Sequence, residues 1–113
     1  MKDSIKLIKA LSDETRMRIF LLLSQHELCV CELMNILDME QSRISHALRP
    51  LKESELIISQ REGTWILYSL NTALAESPIV KGIIKEVKSN PEDMNRLIQC
   101  KKAKIKQKCK KEK

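Results

Sequence analysis

At 113 residues, 42% hydrophobic and 32% charged, the chain has material for one modest core rather than several domains, and a domain of that size often gains stability by pairing with a second copy. No apolar run approaches the roughly 18 residues that span a bilayer, and the opening MKDSIKLIKALSDETR has no uninterrupted apolar segment or small-residue cleavage site, so the expectation is a cytoplasmic protein with no membrane partner. The formal charge of +6 misrepresents the folded part: eight lysines against Glu112 give residues 101–113 a net +7, and +6 less +7 leaves −1 for residues 1–100, which excludes a uniformly basic surface and leaves only local patches.

Residues 3–10, DSIKLIKA, place Ile5, Ile8 and then Leu11 on one side of a short amphipathic helix that can pack on the body or on a partner chain. Ser12 predicts an N-cap, Asp13 and Glu14 suit the positive end of a helix dipole, and Met17, Phe20, Leu21 and Leu23 form the core side of the helix that follows. After Gln25-His26-Glu27, the residues Leu33, Ile36 and Leu37 mark a third short helix, and Asp38-Met39-Glu40 connects it tightly to a fourth.

In that fourth helix Ile44, Leu48 and Leu51 recur at helical spacing, burying one side and leaving Gln41, Ser42, Arg43, Ser45, His46 and Arg49 on the other. Those outward types donate to phosphates and base edges. Pro50 predicts a kink or an early end near Arg49, and Glu55 stands where a glycine would close the helix better. Two β-prone runs, Leu56 to Arg61 and Thr64 to Leu70, flank the hairpin turn Glu62-Gly63. Arg61, Gly63 and Thr64 lie where a hairpin tip meets DNA backbone or minor groove, while Trp65 and Tyr68 read as residues packing the hairpin to the body. Helix, turn, helix and then a hairpin wing is the order of a DNA-binding unit.

Beyond the hairpin, Asn71-Thr72 caps a helix with the stripe Ile79, Ile83, Ile84 and Val87, and Pro91 opens a last helix with Met94, Leu97 and Ile98 on its apolar side. Past Cys100 the pattern dissolves into KKAKIKQKCKKEK, a frayed helix end or a disordered tail. The expected fold is mainly α with a β-hairpin (α+β): a winged helix-turn-helix domain over residues 1–100, with dimerisation helices at both ends, and a lysine-rich C-terminal tail over 101–113.

Four cysteines without a secretion signal read as free thiolates for metal, metalloid or redox chemistry rather than as a disulfide framework. On a helix, residues two apart such as Cys29 and Cys31 point about 200° apart, whereas in extended chain they share a side. A joint site therefore requires Cys29-Val30-Cys31 to be non-helical or to become so; the plain alternative is two buried small hydrophobes. Cys100 and Cys109, nine apart, face opposite ways on a continuous helix, so one of them at most joins a given site.

The segments ALSDETRMRIFLLL, ELCVCEL, QSRISHALRPLKESELI and REGTWILYSL, in this order over Lys9 to Leu70, resemble the ArsR/SmtB family of bacterial winged-helix repressors. The resemblance implies a homodimer whose first and post-wing helices form the interface, recognition helices in the major grooves of two half-sites of double-stranded operator DNA, and release of the DNA when an inducer binds. ELCVCEL, residues 27–33, is similar to the arsenite-sensing members, whose pattern carries another cysteine three residues on, where this chain has Met34. Trivalent arsenic or antimony is soft and favours three sulfur ligands. The resemblance thus implies arsenite or antimonite as inducer on Cys29 and Cys31, with a third thiolate from Cys100 or Cys109. The family's usual Ser-x-His-Leu is replaced by Ser45-His46-Ala47-Leu48, which moves the histidine by one position. Residues 72–89 hold no histidine and only Glu76 and Glu86 as acids, so the zinc-sensing arrangement on that helix is not expected. Neither a constitutive cofactor nor an enzyme is expected, because neither histidine has an evident orienting partner and there is no phosphate-binding glycine loop. The alternative function is a thiol-based redox or persulfide-responsive repressor of the same fold.

Overall fold

The computed structural model describes residues 2–87 and 91–103. In chain order its elements are α1 (Lys2–Ala10), α2 (Glu14–Leu23), β1 (Leu28–Cys29), α3 (Val30–Leu37), α4 (Gln41–Glu53), β2 (Ile57–Glu62), β3 (Trp65–Leu70), α5 (Thr72–Ala75), α6 (Pro78–Glu86) and α7 (Pro91–Ala103). The architecture is mainly helical with one antiparallel sheet in the order β1-β3-β2. Residues 104–113, with Cys109 and most of the lysine-rich stretch, lie outside the described residues. Among the described residues no helix is long and apolar enough to cross a membrane.

At the start of the chain the structure narrows one expectation and corrects another. The side of α1 that meets the core carries Leu7 and Ala10, continued by Leu11, while Ile5 and Ile8 are 46% and 55% exposed. Both sets have helical spacing, and the body packs against only one of them. The N-cap of α2 is Asp13 rather than Ser12: Asp13 Oδ2 accepts the Arg16 N–H at 3.1 Å, and Ser12 instead donates its hydroxyl to the Lys9 carbonyl at 2.7 Å, closing α1. Arg16 reinforces that closure by donating from Nε to the Ala10 carbonyl at 2.6 Å, a cation placed on the negative end of a helix dipole.

From Ile19 to Leu23 every residue of α2 is buried, since α2 is wedged among α4, α7 and β3. Both helices of the helix-turn-helix pair end on a left-handed residue. Asp38, at φ +55°, closes α3 and lets the Met39 N–H reach the Met34 carbonyl at 3.2 Å; Glu55, at φ +64°, does the same for α4, where the Leu56 N–H meets the Leu51 carbonyl and the Glu55 N–H the Lys52 carbonyl. The expected early end at Pro50 does not occur. The helix runs on to Glu53, because Pro50 removes a single backbone donor while Leu48 and Leu51 on either side are buried in the core.

The wing pairs β2 with β3 from Ile57↔Leu70 to Glu62↔Trp65, so the two loop residues are Gly63-Thr64, one position later than expected from sequence. Gly63 takes φ +63°, the positive angle a two-residue hairpin loop needs at its first position. The third strand, β1, was not expected. Its two residues pair with the other edge of β3, Leu28 with Tyr68 and Cys29 with Leu67, and two residues are too few to show an alternating pattern. After the wing, Asn71 caps α5 by accepting the Ala73 N–H at 3.1 Å; the helix then breaks and restarts as α6, because Pro78 disfavours helical geometry at Ser77, which is extended (ψ 131°). Val80 of α6 and Leu97 and Cys100 of α7 point into the core, while Ile79, Val87 and Ile98 are exposed.

Candidate functional site

The outward face of α4 is as the sequence predicts. Gln41, Ser42, Arg43, Ser45, His46 and Arg49 are all exposed, because Ile44, Ala47, Leu48 and Leu51 hold the opposite face in the core. The face thus presents hydroxyls, an imidazole and two guanidinium groups on a rigid rod of a size that fits the major groove. At the first turn of α4, Arg43 Nη2 donates to Thr15 Oγ1 at 3.3 Å across a cleft of about 440 Å³ whose walls include Asp13, Arg16, Ser42 and His46. Thr15 is buried. Its contact to Arg43 was not foreseen, since it joins two helices and nothing local to Thr15 signals it. Arg61, Gly63 and Thr64 are exposed at the wing tip, where Arg61 Nε lies 3.4 Å from the Gly63 carbonyl.

The cysteines are placed unequally. Cys29 is at once the end of β1 and the N-cap of α3, with extended angles (φ −93°, ψ 170°), and Cys31 is the second residue of the helix, so the pair straddles a strand-to-helix boundary. Cys29 is 3% exposed and Cys31 half-buried. Cys29 and Cys100 are free thiols, whereas Cys31 is disulfide-bonded, which departs from the expectation of free thiolates throughout. The Cys29 backbone N–H donates to Glu32 Oε1 at 3.1 Å, and the Cys29 sulfur, a weak acceptor, takes the Glu32 N–H in return, closing a capping box on the first turn of α3.

Cys100, 1% exposed, lies on α7, next to the Lys101 that bonds Glu32 of this turn. Burial pushes its thiol up to about 11, with further upward pressure from the Glu32 carboxylate and a smaller one from Cys29, against the lowering influence of Lys101. Burial likewise raises the Cys29 thiol, with the Glu32 N–H acting in the opposite direction. Both groups are therefore neutral thiols at neutral pH. Of the sequence-predicted thiol residues, Cys29 and Cys100 are both buried and near enough to influence each other electrostatically; Met34 packs against the core. Among the described residues no cluster of three or more His, Cys, Asp or Glu side chains stands ready to hold a metal ion.

The partners that seat α7 were not read from the sequence. The Arg18 guanidinium grips the Asp93 carboxylate with two hydrogen bonds, Nε to Oδ2 at 2.9 Å and Nη2 to Oδ1 at 2.8 Å, and this pairing holds the Arg18 pKa above its usual range. Arg96 donates to the Ile36 carbonyl at 3.3 Å, and Lys101 Nζ donates to Glu32 Oε2 at 3.0 Å. Beginning, middle and end of α7 are thereby tied to α2 and α3, so the helix carrying Cys100 is held against the helix that precedes α4.

Comparisons with known proteins converge on this arrangement. The family described as "Bacterial regulatory protein, arsR family" matches residues 13–59, from the cap of α2 into β2. The arsenical resistance operon repressor of Escherichia coli (strain K12) is 48% identical over 68 residues, 59% of this chain and 58% of that one, so the chain spans under two thirds of that relative's length. A Staphylococcus aureus protein, also an arsenical resistance operon repressor, is 35% identical over 78 residues, 69% of this chain and 75% of its own. Among solved structures, the homodimeric winged helix-turn-helix DNA-binding domain of Mb0332 from Mycobacterium bovis, a possible ArsR-family transcriptional regulator, superposes with a TM-score of 0.60 at 26% identity, covering 79% of this chain and 87% of that one. These relatives are regulators of transcription rather than enzymes. With a winged helix-turn-helix fold and that identity to the staphylococcal repressor across three quarters of its length, the chain belongs to the arsR family of bacterial regulatory proteins.

Proposed function

We propose that the protein is a homodimeric transcriptional repressor that holds double-stranded operator DNA with α4 and the wing, and leaves it when trivalent arsenic or antimony is captured by cysteine thiolates. The observation that carries this reading is the junction of the exposed Arg43 and Arg49 face with a thiol site built into the cap of α3, the helix immediately before it. The arsenical resistance repressors among the relatives support arsenite as inducer. Exposed Ile5 and Ile8 on α1, Ile79 on α6 and Val87 just after it support pairing of two chains through the first and post-wing helices, and a role on operator DNA puts the protein in the cytoplasm.

Cys29 and Cys31, the latter once reduced, supply two sulfurs, and Cys100, buried on the helix whose next residue bonds Glu32, is preferred to Cys109 as the third. Neutral thiols suit neutral arsenous acid: each As–OH is exchanged for As–S, and the thiol proton leaves with the hydroxide as water. Closing Cys29 and Cys31 on one small centre pulls the first turn of α3 out of helical geometry, which tilts the helix-turn-helix away from its DNA-competent position. Fluorescence anisotropy on an operator duplex, with freshly reduced protein, is expected to show release by arsenite in the parent and retention in Cys29→Ser and Cys31→Ser; release in both variants would sink this site. The disulfide at Cys31 favours a second reading, a redox-responsive repressor of the same fold. There, oxidant and not arsenite releases the duplex.

A further inference from the structure

One buried thiol, Cys29, caps α3 and the other, Cys100, belongs to α7, whose last turn is tied to the α3 side, among the described residues, by Lys101. Lys101, the residue after Cys100, donates to Glu32 Oε2 at 3.0 Å and to the Glu27 carbonyl at 3.4 Å, tying the last turn of α7 both to the first turn of α3 and to the segment ahead of β1. Glu32 is 2% exposed, and its other oxygen accepts the Cys29 N–H. One carboxylate therefore joins the cap of the thiol-bearing helix to the helix that covers it. Beside this fastening an open cleft of about 370 Å³, whose lining includes Gln25, His26, Met94, Leu97, Ile98 and Lys101, reaches the residue that follows Cys100. A hydrated solute reaches thiols that are 1% and 3% exposed only through a local opening of the fold.

We propose that Glu32 and Lys101 form a clasp that gates the thiol pair: a small neutral metalloid hydroxide enters from the cleft when Lys101 releases Glu32, and its capture at Cys29 competes with the cap that Glu32 and Cys29 build together. The identity of the solute rests on the function proposed above; the gate itself does not. Both are positioning residues. They touch no reacting atom of the inducer and act by holding the two cysteines. Removing Lys101 leaves a buried carboxylate without its cation, which loosens the contact between α3 and α7 rather than merely deleting one bond.

The test is alkylation of freshly reduced full-length protein by iodoacetamide at one fixed pH, resolved cysteine by cysteine by mass spectrometry. Lys101→Met is expected to raise the rates at Cys29 and Cys100 roughly ten- to a hundredfold, the order by which a lost charge-assisted hydrogen bond shifts a local opening equilibrium, and Lys101→Arg to restore them. The sign discriminates. The Lys101 ammonium favours the Cys100 thiolate, so an electrostatic role alone would slow the variant, and an unchanged or lower rate overturns the proposal. Should Lys101→Met lose its fold by circular dichroism, Glu32→Gln carries the test, because it keeps an acceptor for the Cys29 N–H. Amide exchange over residues 97–102, which thiol ionisation does not move, is then expected to quicken, and parent-like exchange overturns the clasp. A parallel arsenite titration of the parent separates the two readings: no binding, with faster alkylation in Lys101→Met, removes the proposed inducer and keeps the gate.

Discussion

Glu55 sits at φ +64°, an angle at which a side chain crowds its own backbone, and it holds that angle because the geometry closing α4 leaves no other. The Asn71 side chain donates to the Glu55 carbonyl at 2.8 Å and the Asn71 N–H meets the Leu56 carbonyl at 3.0 Å, so the turn is held from the far side of the wing as well. Relieving the strain is expected to outweigh the greater chain entropy of glycine in the unfolded state. Glu55→Gly should stabilise the protein by about 0.5–1 kcal/mol, read as a higher urea midpoint with an unchanged slope. That this position wants glycine was legible from its place after the last apolar residue of α4. What holds it was not, because Asn71 is sixteen residues away.

At the scale of elements, α4 and the wing were legible in outline because their signals are local. Helical spacing of Ile44, Leu48 and Leu51 sets the reader's outward face whatever packs behind it, and a glycine between β-prone runs marks a hairpin. At the start of the chain two local readings competed. Either stripe of α1 had helical spacing, and either Ser12 or Asp13 was a competent cap. On the proposed function, a body carrying a net −1 over residues 1–100 holds DNA through discrete contacts. Arg43→Ala and Arg49→Ala are each expected to lower the steepness of log affinity against log salt by about one, with loss of sequence preference added if the residue reads a base rather than a phosphate. An anisotropy series over salt concentration, on operator and scrambled duplexes, measures both.

For the molecule as a whole, the exposed apolar residues Ile5 and Ile8 of α1 and Ile79 of α6 are surface that the single chain leaves unexplained. If two chains pair there, Ile5→Glu combined with Ile8→Glu should raise the dimer dissociation constant roughly a hundredfold or more, since each buried isoleucine contributes about 1.5–3 kcal/mol. Sedimentation velocity reads the change. Leu7 and Ala10 hold the other side of α1, so the chain's fold and its circular dichroism should persist. The sequence by itself determined the order of the motifs, the side of α4 that faces outward, the hairpin and the family resemblance, all of which are written in spacings of a few residues. The tertiary structure alone decided that Cys100 is buried in the core, that Lys101 meets Glu32 across sixty-nine residues and that Arg18 meets Asp93 across seventy-five. Such meetings depend on where α7 settles on α2 and α3, and that is set by the summed burial and ion pairing of whole surfaces, for which no short stretch of sequence carries the information.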